Sequence, residues 1–338
     1  MGSSLTYPLE PMEAKSVSAL PQGKNWLYEP KWDGFRCVAF RDGELIQMQS
    51  KSGKPLERYF PDIVAALASL KAKKFVVDGE LLIQKDTAYS FSELQLRLHP
   101  AASRVKKLAA QAPATFMLFD LLGDEKGAAT LSLPFAERRA RLTDFFARYA
   151  KENPRLALSP QVASLTSAES WIKRLKGVID GLIAKPADAA YQPGQRLMQK
   201  YKFLRTADCV VGGFRYATNS RLLGSLLLGL YTDKGLLDHV GFTSAIPQKD
   251  KQKLTQTLKK LIAPPGFTGR APSGPSRWSA ERSTAWEPLK PELVVEVGFD
   301  HVTGGRFRHG TRFLRWRPDK SPLQCTMDQL DQPLKLER

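Results

Sequence analysis

Cysteine is nearly absent: Cys37, Cys209 and Cys325 are the three in 338 residues. They are too few and too scattered for a disulfide framework or a zinc site, and they read as buried thiols in a reducing cytosol. Long apolar runs are missing too. The longest, around Leu226–Tyr231 and Phe116–Leu122, have the length of strands and fall far short of the roughly 20 residues that span a bilayer. The polar, proline-bearing N-terminus has no apolar signal core. Met1-Gly2-Ser3-Ser4-Leu5-Thr6 fits the loose myristoylation pattern, but nothing else points to a lipid anchor, and it reads as an ordinary leader. No internal repeat or coiled-coil heptad is present, and no membrane partner is expected. Acidic residues are in short supply, with Asp+Glu 34 against Lys+Arg 51, which leaves a net charge of +17 and a pI near 9.8. That excess predicts a polyanionic partner, nucleic acid before membrane.

What remains is the balance of a soluble globular protein, 42% hydrophobic and 25% charged, long enough for about two domains. Strand candidates are Asn25–Glu29, Phe35–Phe40, Glu44–Gln49, Lys74–Ile83, Thr115–Leu122, Leu156–Val162, Val178–Lys185 and Leu197–Leu204. Helices are expected at Pro61–Leu70, Phe91–His99, Arg104–Gln111, Phe135–Tyr149 (arginines outside) and Ser167–Lys176, the last capped by Ser167 or Thr166. This mixture is no regular βαβ repeat, so the fold class is α+β with mainly antiparallel sheets. After Arg205 the character changes. Strands at Cys209–Tyr216, Leu222–Tyr231, Leu236–Phe242, Leu293–Phe299 and Arg312–Arg317, one basic amphipathic helix at Lys249–Ile262 and a long loop at Pro264–Lys290 suit a small Greek-key barrel of OB type. The expected domains are therefore 1–205 and 206–338.

Three constellations carry chemistry. In Glu29-Pro-Lys-Trp-Asp-Gly-Phe-Arg36 a lysine stands between strands, with Trp32 and Phe35 as a water-shielding wall and Arg36 as a neighbouring cation. Such surroundings make an amine a usable nucleophile, while Asp33 can orient it. Asp78 and Glu80 share a strand face, and Asp180 precedes Gly181 in the middle of β-formers. Carboxylates buried among such residues need a cation, and hard oxygen ligands suit Mg²⁺. Lys200 and Lys202 flank Tyr201, Lys185 ends the neighbouring strand, and Arg312, Arg315, Arg317, Asp319 and Lys320 close the chain's last strand. Alternating cations and planar guanidinium forks favour phosphate.

Taken singly these are generic. In this order they resemble the motifs of the covalent nucleotidyltransferases: ATP-dependent DNA ligases, RNA ligases and mRNA-capping guanylyltransferases. Within that group the chain is similar to the compact bacterial LigC-type ATP-dependent DNA ligases. Glu29–Arg36, His99-Pro-Ala-Ala-Ser-Arg104, Thr206-Ala-Asp-Cys-Val-Val211, Gly224-Ser-Leu-Leu-Leu-Gly229 and Val294-Val-Glu-Val297 carry the likeness. The resemblance implies an ATP-grasp-like nucleotidyltransferase (adenylation) domain followed by an all-β OB-fold domain. It implies that Lys31 becomes AMP-bound, that Glu29 reads the adenine amino group, and that Arg36 contacts the ribose or the nick. Lys51 stands where the family usually has an arginine. Glu80 is implied as ribose or metal contact, Phe119 as the ring stacked on adenine, and Asp180, where many ligases carry Glu, as metal ligand with Lys185 beside it. Lys200 and Lys202 would contact the α-phosphate, and Arg317 and Lys320 would orient the leaving pyrophosphate.

The implied activity is sealing of DNA nicks between a 3′-hydroxyl and a 5′-phosphate through lysyl-AMP and DNA-adenylate, with ATP and Mg²⁺ (or Mn²⁺), in repair. Nicked double-stranded DNA is the implied partner, with a separate repair polymerase or a Ku-like protein beside it, and the protein is expected to be a cytoplasmic bacterial monomer. Lys31 lies so near Met1 that no separate N-terminal DNA-binding, polymerase or nuclease domain is expected. A hinge is expected near Leu204–Asp208. The alternatives are an RNA ligase or capping guanylyltransferase, or a non-catalytic OB-type DNA-binding module.

Overall fold

The computed structural model describes residues 5–85, 88–175, 179–203, 205–272 and 285–330, with only the backbone of Ile172 and Lys173. The chain divides into two units, Met1–Lys202 and Phe203–Arg338.

The strands of the first unit are β1 (Ala14–Ser16), β2 (Trp26–Lys31), β3 (Phe35–Asp42), β4 (Leu45–Ser50), β5 (Lys74–Lys85), β6 (Ala88–Tyr89), β7 (Ala114–Gly123), β8 (Leu156–Leu158), β9 (Gly181–Pro186) and β10 (Met198–Lys202). Its helices are α1 (Pro61–Ala68), α2 (Phe91–Arg97), α3 (Ala102–Gln111), α4 (Phe135–Phe145) and α5 (Leu165–Arg174). One sheet runs β4-β3-β5-β7-β8 with β6 paired to β5, and the other runs β1-β10-β9-β2. The pairings are antiparallel as expected, except the short parallel contacts β1 with β10 and β7 with β8.

Strand alternation sorts the larger sheet into two faces. Cys37 and Ala39 of β3 and Phe75, Val77, Leu81 and Ile83 of β5 enter the main core, where helix α1 adds Ile63, Ala66 and Leu67. Val38, Phe40 and Val76 face the other way, into a second cluster with Met12, Leu122, Tyr191 and Met198. Asp78 and Glu80 follow Val76 at the same parity, so the backbone does place the acidic pair on one face.

In β7 the partners of Asp78 and Gly79 are Asp120 and Leu118, which leaves Phe119 as the extra residue of a β-bulge. A bulge re-aims a side chain, and Phe119 is turned toward a cleft rather than into the main core. Helix α4 departs from expectation in two ways. It gives way after Phe145 to one π-helical turn over Phe146–Ala150, and two of its arginines, Arg138 and Arg139, are buried. Arg141 and Arg148 stay exposed. The cap of α5 is Ser164, whose hydroxyl accepts the Ser167 N–H, not Thr166 or Ser167.

The second unit contains β11 (Arg205–Tyr216), β12 (Leu223–Tyr231), β13 (Leu237–Thr243), α6 (Lys251–Lys259), β14 (Glu287–Pro288), β15 (Val294–Phe299), β16 (Val302–Thr303), β17 (Arg306–Phe307) and β18 (Arg312–Trp316). The sheet order is β13-β12-β11-β15-β18, with β14 added to β11. Register shifts in β11, β12 and β15 bend it. Its two edges then meet, since Thr243 at the end of β13 bridges Thr311 beside β18, with the Thr243 hydroxyl donating to the Thr311 carbonyl at 2.9 Å. A sheet whose edges join is a barrel. Leu258 of α6 is buried against it with Leu254 and Leu261 beside it, whereas Ile262, the last residue of the expected helix, lies beyond α6 and is exposed.

The long loop expected over Pro264–Lys290 contains β14, and its residues 273–284 lie outside the described part. So do Val178, at the start of one predicted strand, and Leu204 in the predicted hinge. From Arg205 to Asp208 that hinge segment is strand, paired with β15 from Phe299 to Glu296. Among the described residues no helix is long and apolar enough to cross a membrane.

Candidate active site

One cleft in the first unit gathers most of the residues singled out above. Glu29, Lys31, Arg36, Lys51, Glu80, Phe119, Lys185 and Lys200 line it, together with Pro11–Ala14, Pro30, Trp32, Ile183 and Met198. Strand β2 delivers Lys31 at its end, opposite Gly181 of β9. The Lys31 ammonium donates to the Asp180 carboxylate, and the Asp180 N–H returns a bond to the Lys31 carbonyl at 2.8 Å. Asp180 stands one residue ahead of β9 rather than within it. Gly181 is required there, because a Cβ would lie 2.1 Å from the Tyr201 carbonyl oxygen of β10. Gly34 is equally constrained by the Leu81 carbonyl, and its N–H points to Glu80 Oε1 at 3.2 Å. Trp32 forms part of the wall, fixed by its indole N–H on Ser159 Oγ at 3.0 Å. Phe35 does not; it packs edge-on against Phe60 and Phe91 in the core behind the sheet.

The two strand carboxylates have different environments. Asp78 is fully buried and gripped by Arg36, with Nε and Nη2 each 2.6 Å from an oxygen, and it accepts the Tyr191 hydroxyl at 2.8 Å. Glu80 faces the cleft. Burial is the main cause that pushes its carboxyl up to about 7, against the lowering charges of Arg36 and Lys31 and with Asp33 and Asp78 adding to the rise. A carboxylate in that condition favours an added cation, and Glu80 and Asp180 offer the hard oxygens a divalent metal takes. In chemical type these two carboxylates suit a metal of that kind.

The cations also separate by role. Lys200 pairs with Ile183 in register, and its ammonium is pushed below its usual value by burial and then by the charges of Lys31, Lys202 and Lys51. Lys202 lies outside the cleft lining but contributes to this like-charge cluster. Lys51, mostly exposed, is held by Glu13 at 2.7 Å. Lys185 is buried and turned inward, 2.8 Å from Glu29 Oε2, with its ammonium 4.6 Å from the centre of the Phe119 ring. Glu29 also accepts from Gln161 at 3.3 Å and Arg139 at 3.4 Å. Glu29 and Lys185 thus form an internal ion pair next to the Phe119 ring, over which Arg36 also lies at 4.6 Å.

Arg317 and Lys320 belong to the second unit. Arg317 Nη1 donates to Asp208 at 2.8 Å and its Nε and Nη2 to Asp319, while Lys320 lies 3.4 Å from Asp208. The Arg317 bond is the main reason Asp319 is held down at about 2. Sequence reasoning missed Tyr191, Arg138 and Arg139. Arg138 grips Asp120 with Nε and Nη2 at 2.8 and 3.0 Å. The one available signal was the density of arginines in an otherwise amphipathic helix.

A nucleotidyltransferase fold with a lysine-rich cleft, followed by a closed OB barrel, defines the class. The family model described as the ATP dependent DNA ligase domain matches residues 11–202, and the one described as the ATP dependent DNA ligase C terminal region matches 219–320. DNA ligase C2 of Mycolicibacterium smegmatis is 44% identical, covering 96% of this chain and 95% of the relative. DNA ligase C of Mycobacterium tuberculosis is 42% identical, covering 97% and 95%. The solved ligase domain of M. tuberculosis LigD is 27% identical with a TM-score of 0.50, covering 94% of this chain and 98% of that one. The chain belongs to the ATP-dependent DNA ligases. It is an enzyme that uses ATP with a divalent metal and acts on nicked DNA.

Proposed function

We propose that Lys31 is the residue that carries AMP and that the cleft around it is the ATP site. The carrying observation is the convergence of Lys31, Lys51 and Lys200 on a single cleft that also holds Phe119 and Glu80, an arrangement of like charges that calls for a polyphosphate. The Lys31 amine attacks the α-phosphorus; the N–P bond forms as the bond to pyrophosphate breaks, and Asp180 orients the amine and is placed to take its proton. Lys200 and Lys202 stabilise the charge that develops on the α-phosphate. Mg²⁺ or Mn²⁺, held by Glu80 and Asp180, supplies further charge neutralisation when bound.

Phe119 offers a ring for adenine once Arg36, which lies over it at 4.6 Å, moves aside, with the Glu29–Lys185 pair next to it. Arg36 meets the ribose or the nick, and Lys51, released from Glu13, meets phosphate. Arg317 and Lys320 orient the leaving pyrophosphate. AMP then passes to the 5′-phosphate of the nick, and attack by the 3′-hydroxyl seals it. We assign adenylation to the first unit, which ends at Lys202 rather than at the expected residue 205, and the OB function to the second. The setting is DNA repair in the bacterial cytosol, by a monomer working beside a separate polymerase or a Ku-like protein.

Incubation with α-labelled ATP and Mg²⁺ should label the protein, and Lys31→Ala should abolish both label and nick sealing. Labelling that persists in Lys31→Ala contradicts the assignment.

A further inference from the structure

The buried hydroxyl of Tyr191 has no part in the chemistry above, yet it joins two walls of the cleft. It donates to Asp78 Oδ2 at 2.8 Å and accepts the Met12 N–H at 2.9 Å. Arg36 closes the circuit by gripping Asp78 with two bonds and donating Nη2 to the Met12 carbonyl at 3.2 Å. Tyr191, Asp78, Arg36 and Met12 thus form one ring of hydrogen bonds drawn from four separate stretches of chain. Tyr191 itself does not line the cleft, whereas Arg36 and Pro11–Ala14 do.

The segment around Met12 is tied elsewhere through its backbone. Leu9 exchanges two 2.8 Å bonds with the Gln49 side chain, and the Glu13 N–H meets the Gln195 carbonyl at 2.8 Å. Tyr191 is in turn fixed by its own N–H on the Leu131 carbonyl at 2.8 Å. Removing its hydroxyl leaves the Met12 N–H without that acceptor and Asp78 without one of its donors. A buried polar group left unsatisfied shifts until it finds a partner or water, and Met12 and Arg36 are the groups able to shift.

We propose that Tyr191 is a positioning residue for nucleotide binding, setting Arg36 and the Pro11–Ala14 wall relative to one another without touching the nucleotide. The proposal rests on the assignment of this cleft to ATP. A residue of this kind should act on KM more than on kcat, and in part through Arg36.

The test is lysyl-AMP formation by Tyr191→Phe, Arg36→Ala and the double variant, measured against ATP concentration with a parallel thermal melt. Tyr191→Phe should raise KM for ATP roughly fivefold with kcat within about twofold, and should add clearly less in the Arg36→Ala background. Asp78→Asn, which keeps the shape but drops the charge holding Arg36, should raise KM in the same direction, and serves if Tyr191→Phe does not fold. An unchanged KM, or the same rise with and without Arg36, overturns the proposal. Absence of labelling in the unsubstituted protein would instead remove the ATP assignment and is read separately.

Discussion

Burial acts on Lys200 and Glu80 in opposite directions, drawing the lysine down and the glutamic acid up, and both shifts are relieved by ligands of opposite charge. A Glu80 carboxyl near 7 is largely protonated in mild acid and then a poor metal ligand. At limiting Mg²⁺, adenylation should fall as pH drops through about 7, and raising Mg²⁺ should move the midpoint lower, because metal and proton compete. Glu80→Gln should be slower and lack that metal-dependent step.

The stability effect has the reverse sign to that of a salt-bridged acid. The folded state holds the Glu80 proton more tightly than the unfolded chain, so stability is lost as pH rises from about 4.5 to beyond 7. Glu80→Gln should therefore be more stable than the parent at pH 8, by something of the order of 2 kcal/mol, and little different at pH 4. Denaturant melts at the two pH values check this. That Lys31, Glu80 and Lys200 belong to one cleft was legible from the Glu29–Arg36 stretch and from strand parity. Tyr191 was not, since its partner Asp78 lies 113 positions away and nothing local to either residue announces the other.

The departures among elements come from tertiary partners. Periodicity read α4 as a helix with its arginines in solvent, yet Asp120 and Glu29, buried across from it, draw Arg138 and Arg139 inward. Breaking a buried pair by removing one partner strands a charge. Arg138→Ala should thus cost about 3–5 kcal/mol, whereas Arg141→Ala, which breaks an exposed i,i+4 contact to Glu137, should cost under about 1 kcal/mol. Equal losses in urea titrations would show that Asp120 does not depend on Arg138. The bulge at Phe119 was equally invisible, because a run of β-formers gives no sign of which residue will lack a partner across the sheet. Helix α1 was readable because Pro61 acts locally at its start, and the cap of α5 slipped because three hydroxyl residues stand within four positions.

For the whole molecule, the +17 charge predicts a DNA contact made chiefly to phosphate. If contact is chiefly to phosphate, affinity for nicked duplex should drop by about 10³ or more between 50 and 200 mM salt; a flat response in a filter-binding or anisotropy series would contradict it. Division into two units was readable from the change of character near Arg205, three residues past the observed division at Lys202, but closure was not, because the Thr243–Thr311 bridge joins residues 68 apart. Arg317, held by Asp208 and Asp319 in the second unit, is expected to matter for the pyrophosphate-releasing step. Arg317→Ala should block labelling from ATP while protein already carrying AMP still seals nicks.

The central claim concerns Lys31. Peptide mapping by mass spectrometry after exposure to ATP and Mg²⁺, without DNA, locates the AMP directly. AMP on Lys31, lost on addition of nicked DNA, is the result expected. AMP on another residue, or on none, would contradict it.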